Sequence, residues 1–218
     1  MTSDTALLDA TDAAPLDVAA LIRSASADDH RAAESRGFVT RLMAGELSLG
    51  GYARYLAQLA WVYEALESWE PRAGDPAIFD PALARMPAIE SDLVALGVTD
   101  RRATHKALPA TAGYAAHLRG IVARHDVVEY LAHHYTRYLG DLSGGQAIAA
   151  LIARHYGATP EQLGFARFEG IEAPVPFKRR YREGINALRL PGTSVDRLIA
   201  EVRQSFALNS AVFDALGA

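Results

Sequence analysis

No cysteine occurs among the 218 residues. That absence excludes disulfides, thiolate metal sites and cysteine nucleophiles, and it fits a reducing compartment. No run of about 18 apolar residues is present, so no segment is expected to span a bilayer as a helix. The N-terminus lacks a basic region followed by an apolar core, and the C-terminus lacks an apolar tail, so the expectation is a soluble, cytoplasmic chain. Positive charge is not in excess either. The formal net charge is −4, and the basic footprint that accompanies nucleic-acid binding is missing. Half of the residues are apolar and 22% are charged, an ordinary balance for a globular protein of a length that suits one domain.

What is present is helical periodicity almost throughout. Residues 1–15 are rich in Ala, Asp and Thr without useful period and are expected to be a mobile tail; residues 16–218 form the expected domain. Eight helices are predicted: Asp17 to Ser35; Phe38 to Met43, ended by Gly45; one capped by Ser48 and stopped by Pro71; one ending near Leu96 with Gly97; Thr111 to Arg124; Val127 to Tyr156, closed by Gly157 and Pro160; Phe177 to Leu188; and Thr193 to Leu216. No alternating strand and no internal repeat emerges. The predicted class is all-α.

The segment Gly140-Asp141-Leu142-Ser143-Gly144-Gly145 lies inside one of these helices. Each glycine there loses roughly 1 kcal/mol against alanine. Gly140 and Gly144 share one helix face with Ser143 beside them, which leaves bare backbone for a flat ligand near the carboxylate of Asp141. Close helix–helix packing explains the same pattern equally well. His30 and Glu34, four apart, fit a metal ligand backed by its acceptor, and also fit a solvated surface pair. Arg23 lies on the same face, two turns before His30. Arg137 and Asp141 have the spacing of an intrahelical ion pair, and Tyr63 that of a core residue. Lys178 and Arg182, with Arg179 and Arg180 between them, form a basic face suited to carboxylates or phosphates, or simply to solvent. A di-iron carboxylate bundle is excluded because no glutamate precedes a histidine by three, and His-Glu-x-x-His is absent too.

Taken together, these residues resemble the heme oxygenase family. His133-His134-Tyr135-Thr136-Arg137-Tyr138-Leu139-Gly140-Asp141-Leu142-Ser143-Gly144-Gly145-Gln146 is similar to that family's distal-helix signature, and His30-Arg31-Ala32-Ala33-Glu34 to its proximal-histidine segment. Tyr63 to Glu67, Gly164 to Ile171, Lys178 to Arg182, and Phe206 to Asn209 with Phe213 extend the resemblance, in order, over about residues 17 to 216.

The resemblance implies a single-domain heme oxygenase-like fold and opening of heme to biliverdin, CO and ferrous iron with O2 and reductase-supplied electrons. Heme would be both substrate and cofactor. His30 would ligate the iron through a neutral ring nitrogen and Glu34 would fix its tautomer. Gly140, Ser143 and Gly144 would pass across the opposite face. Tyr135, Lys178 and Arg182 would hold the propionates, with Arg23 where the family commonly has lysine, and this set implies the IX-alpha isomer. Asp141, Arg137, Tyr63 and Asn209 would order distal water. The basic face at Lys178 to Arg182 would suit an acidic electron donor such as a ferredoxin or flavodoxin. Two other functions are weighed: a non-catalytic heme carrier or sensor on the same fold, which has no need of Asp141, and a thiaminase-like helical enzyme, which the lack of cysteine disfavours.

Overall fold

The computed structural model describes residues 16–217, and among them there are helices and connecting segments but no strand. The expected tail over residues 1–15 lies outside the described residues. The chain begins with α1 (Val18–Ala25), α2 (Ala27–Glu34) and α3 (Gly37–Ala44), followed by α4 (Leu49–Leu66). Next come α5 (Met86–Ala95), the short α6 (Arg101–Thr104), α7 (Pro109–Arg124) and α8 (Val127–His134). After a π-helical turn at Tyr135–Leu139 the chain continues as α9 (Gly140–Tyr156), α10 (Pro174–Ala187) and α11 (Gly192–Gly217).

Capping chemistry sets most boundaries. The Asp17 carboxylate accepts from the Ala20 amide at 3.0 Å and opens α1; the Ser48 hydroxyl does the same for Gly51 at 3.2 Å in α4. Gly45, Gly97 and Gly157 take positive φ after α3, α5 and α9, the left-handed conformation that ends a helix at least steric cost to glycine. Helix α4 is the spine of the core, with Leu56, Leu59, Tyr63 and Leu66 all buried. It packs on α7 and α5, while α11 lies across α2, α3, α7 and α8.

Four departures from the predicted elements matter. The first predicted helix is broken at Ser26, whose buried hydroxyl donates to the Ile22 carbonyl at 2.8 Å, a back-bond that bends helices. The α4 helix stops at Leu66, well before Pro71, and Glu67 accepts instead from the Arg85 and Met86 amides that open α5. The α10 helix starts at Pro174 rather than Phe177, since proline suits the first helical turn. The long glycine-bearing helix is interrupted by the π turn at Tyr135–Leu139, which inserts one residue into the helical count.

Candidate functional site

A cleft of about 850 Å³ opens between α1–α2 on one side and the π turn with the start of α9 on the other, with α10 along its rim. His30 lines one wall; Tyr135, Gly140 and Ser143 line the opposite one. The kink at Ser26 sets α2 against α11, where the His30 ring meets Phe206 edge-on, centroids 5.7 Å apart. The Glu34 carboxylate lies 3.4 Å from His30 Nδ1. That leaves Nε2 as the ring nitrogen without this carboxylate.

The glycines divide their work. A Cβ built on Gly140 would meet nothing within 4 Å, and one on Gly144 would meet only Ile148 of its own helix at 3.9 Å. A Cβ on Gly145 would touch Ala166 Cα at 3.5 Å. Thus Gly140 presents open main chain to the cleft, whereas Gly145 is the residue that lets α9 approach its neighbour. Close helix packing accounts for Gly145, and open space in the cleft accounts for Gly140. Gly144 is not among the cleft-lining residues.

Behind the glycine face lies a buried polar network. Tyr63 donates to Asp141 Oδ2. Arg137 Nη2 lies 3.3 Å from the same oxygen and 3.4 Å from Oδ1, and Arg137 Nη1 donates to Asn209 Oδ1 at 2.8 Å. The guanidinium also sits over the Tyr63 ring, 5.3 Å from its centroid. Burial raises the Tyr63 phenol well above its usual range; the opposing pull of Arg137 and the push of Asp141 are smaller, so the hydroxyl keeps its proton. Burial also opposes the Arg137 charge, but the Asp141 carboxylate offsets it and the cation is held. Arg137 Nε is buried without a protein partner among the described residues. All four residues expected in the distal set therefore come together, from α4, the π turn, α9 and α11.

The rim is basic. Arg23 and Arg182 line the cleft with Tyr135 between the reach of both: burial raises the Tyr135 phenol, and the two cations lower it. Lys178 is not among the lining residues; its amine donates to Ser143 Oγ at 3.1 Å, bridging α10 to the glycine face. Glu34 likewise stands behind the wall rather than in it. Asn186 and Phe206, which were not expected at the site, also line the cleft, as does Arg179 of the basic face. Asn186 fastens α10 to α1, accepting from the Ala19 amide and donating to Asp17, both at 3.0 Å. Phe206 carried a signal, since it precedes Phe213 by two helical turns on α11.

Among the described residues no helix is long and apolar enough to cross a membrane. The heme oxygenase family model matches residues 16–215. Heme oxygenase 1 of Gallus gallus is 33% identical over 207 residues, 92% of this chain and 70% of that protein. The solved structure of heme oxygenase from Leptospira interrogans superposes with a TM-score of 0.85 at 32% identity, covering 91% of this chain and 99% of that one. Heme oxygenase-1 from Synechocystis sp. PCC6803, solved in complex with heme, superposes equally well, with a TM-score of 0.85 at 29% identity and 91% of each chain covered. The all-α fold and the match over nearly the whole described chain agree: the chain belongs to the heme oxygenase family.

Proposed function

We propose that the chain opens heme to biliverdin, CO and ferrous iron, using O2 and electrons from a reductase. The cleft fits such a ligand on its own geometry. It pairs an imidazole wall with a bare helix face where a Cβ at Gly140 would find open space, and its rim supplies cations for two propionates. When bound, heme supplies the iron that binds O2 and the carbon skeleton that is oxidised.

His30 would be the proximal ligand, with Glu34 accepting from Nδ1 and fixing the tautomer. Asp141 would hold water over the glycine face, and that water would supply the proton the reaction takes up. Tyr63 and Arg137 keep that carboxylate oriented, and Asn209 anchors Arg137 in turn. Tyr135, Arg182 and Arg23 would set the rotation of the ring in the cleft, with Lys178 holding Ser143, and this arrangement favours the IX-alpha isomer. The exposed Arg179 and Arg180 on α10 suit an acidic ferredoxin or flavodoxin, and such a donor fits a cytoplasmic setting.

The observation that carries the reading is the buried Tyr63–Asp141–Arg137–Asn209 network directly behind the glycine face. A carrier or sensor has no use for it. Incubation with heme, a reductant and air is expected to replace the Soret band by a biliverdin spectrum. Asp141→Asn is expected to bind heme normally and form biliverdin about 100-fold more slowly. A Soret band that persists in the wild type under a competent reductant would support the carrier instead, and full turnover by Asp141→Asn would overturn the role of the carboxylate.

A further inference from the structure

A second cluster of ligand-type side chains lies where α7, α8 and α11 meet, apart from the cleft. His117 of α7, His133 of α8 and Glu201 of α11 place one donor atom each within 4.8 Å of the other two. The Nε2 atoms of His117 and His133 approach the same oxygen, Glu201 Oε1, at 2.5 and 2.8 Å. The His133 side chain is fully buried, while that of His117 is 33% exposed and opens the cluster to solvent on one side. On the inner side His133 Nδ1 is 3.2 Å from the Tyr114 hydroxyl, which is 3.1 Å from Ser205 Oγ.

We propose that this cluster is a zinc site, with His117 Nε2, His133 Nε2 and Glu201 Oε1 as ligands and water in a fourth, solvent-facing position. Two imidazoles and one carboxylate form a donor set that suits Zn²⁺. Ligand atoms about a tetrahedral zinc lie roughly 3.3 Å apart, so each imidazole withdraws from Glu201 by less than about 1 Å, and the half-open position of His117 allows it. Zinc needs neutral imidazoles, and burial already lowers the pKa of His133 against the opposing pull of Glu201.

The inner partners serve both states. Without metal, Tyr114 donates to His133 Nδ1 and His133 Nε2 donates to Glu201. With metal, the ring proton sits on Nδ1 and donates to the Tyr114 oxygen, whose own hydrogen turns to Ser205 Oγ. No buried polar atom is left unpaired in either state. The three ligands come from three helices, and two of those helices lead directly into the Arg137–Asn209 contact. His133 lies four residues before Arg137, and Glu201 lies on α11 with Asn209.

The test is titration of the full chain with Zn²⁺ alone, read by calorimetry and metal analysis, with Co²⁺ as a spectroscopic probe. The expected result is one equivalent bound with Kd at or below about 1 μM, four-coordinate d–d bands with Co²⁺, and a raised Tm. Glu201→Gln keeps a hydrogen-bond acceptor and His117→Ala removes a half-exposed ring, so both variants retain the core; each is expected to weaken binding at least about 100-fold. Binding is expected to persist in the heme-free His30→Ala variant, which separates this site from the cleft. Absence of stoichiometric binding, or binding that survives Glu201→Gln, would overturn the proposal and leave the cluster as a hydrogen-bonded tie between helices.

Discussion

At the scale of single residues, burial decides more than sequence spacing announces. His134, next to the zinc cluster but facing the other way, is 3% exposed. It lies among Phe79, Tyr130, Tyr138 and Tyr181, with the Tyr181 hydroxyl 2.6 Å from Nδ1. Burial alone pushes its pKa down to about 3 from 6.5. Between those two values the unfolded chain takes up a proton that the folded protein refuses. Stability from this group is therefore complete above pH 6.5 and is lost as pH falls toward 3, at up to about 1.4 kcal/mol per pH unit. His134→Gln is expected to flatten that acid limb in urea titrations run from pH 7 to 4, with His133 contributing a residual slope of the same sign. An unchanged limb would show that the ring titrates normally. Nothing in the sequence distinguished His134 from the other histidines, because its environment is assembled from residues as distant as Phe79 and Tyr181. Asp141 stood out beside the glycine face, but its grouping with Arg137, Tyr63 and Asn209 came only from the family resemblance. Their spacing alone allowed an ion pair and a core tyrosine, and it is the tertiary packing of α4 and α11 that joins them.

At the scale of elements, the glycine segment separates into two functions that substitution should resolve. Gly140 has ordinary helical angles, φ −62° and ψ −54°, and open space beyond its Cα. Gly140→Leu is expected to keep or raise Tm, through a helix-propensity gain of about 1 kcal/mol, while weakening heme binding at least about tenfold by filling the cleft. Gly145→Leu is expected to cost about 1–3 kcal/mol by overpacking against Ala166. Thermal melts and heme titrations of the pair check both; a Gly140→Leu protein that still bound heme at wild-type affinity would remove the bare backbone from the site. Helix existence was readable because caps announce themselves: Ser48, Gly45, Gly97 and Gly157 act as their residue types predict. The π turn was not readable, since an apolar stripe with one extra residue still looks helical in a short window. The break at Ser26 escaped for a similar reason, because a serine between two helical patterns does not reveal which carbonyl its hydroxyl will take. Helix α6, four residues long and opened by Asp100, is too short to carry a period at all.

At the scale of the whole molecule, charge is unevenly placed. The chain is acidic overall, yet the cleft rim collects Arg23, Arg31, Arg179 and Arg182, and Arg180 stands exposed beside them. An acidic electron donor approaching that face would be steered by the local field rather than by net charge. Reversing Arg179 and Arg180 to glutamate is expected to slow donor-dependent turnover about tenfold at low salt and to erase most of its salt dependence. Arg180→Glu alone, outside the cleft lining, is expected to show part of the same effect with heme affinity unchanged. A rate indifferent to both changes would place the donor elsewhere.

The wall that bears His30 has very little interior of its own. Of the eight residues in α2 only Ala33 is buried, and a helix of two turns does not sustain itself in water. On the proposed reading, heme in the cleft would supply the missing half of that wall's hydrophobic core: a flat apolar ring pressed on α2 from inside, as α11 presses from outside. Heme binding is then expected to steady α2. Once product had formed and its hold on the imidazole was gone, the wall flanking the exit would be the one that had just lost its support.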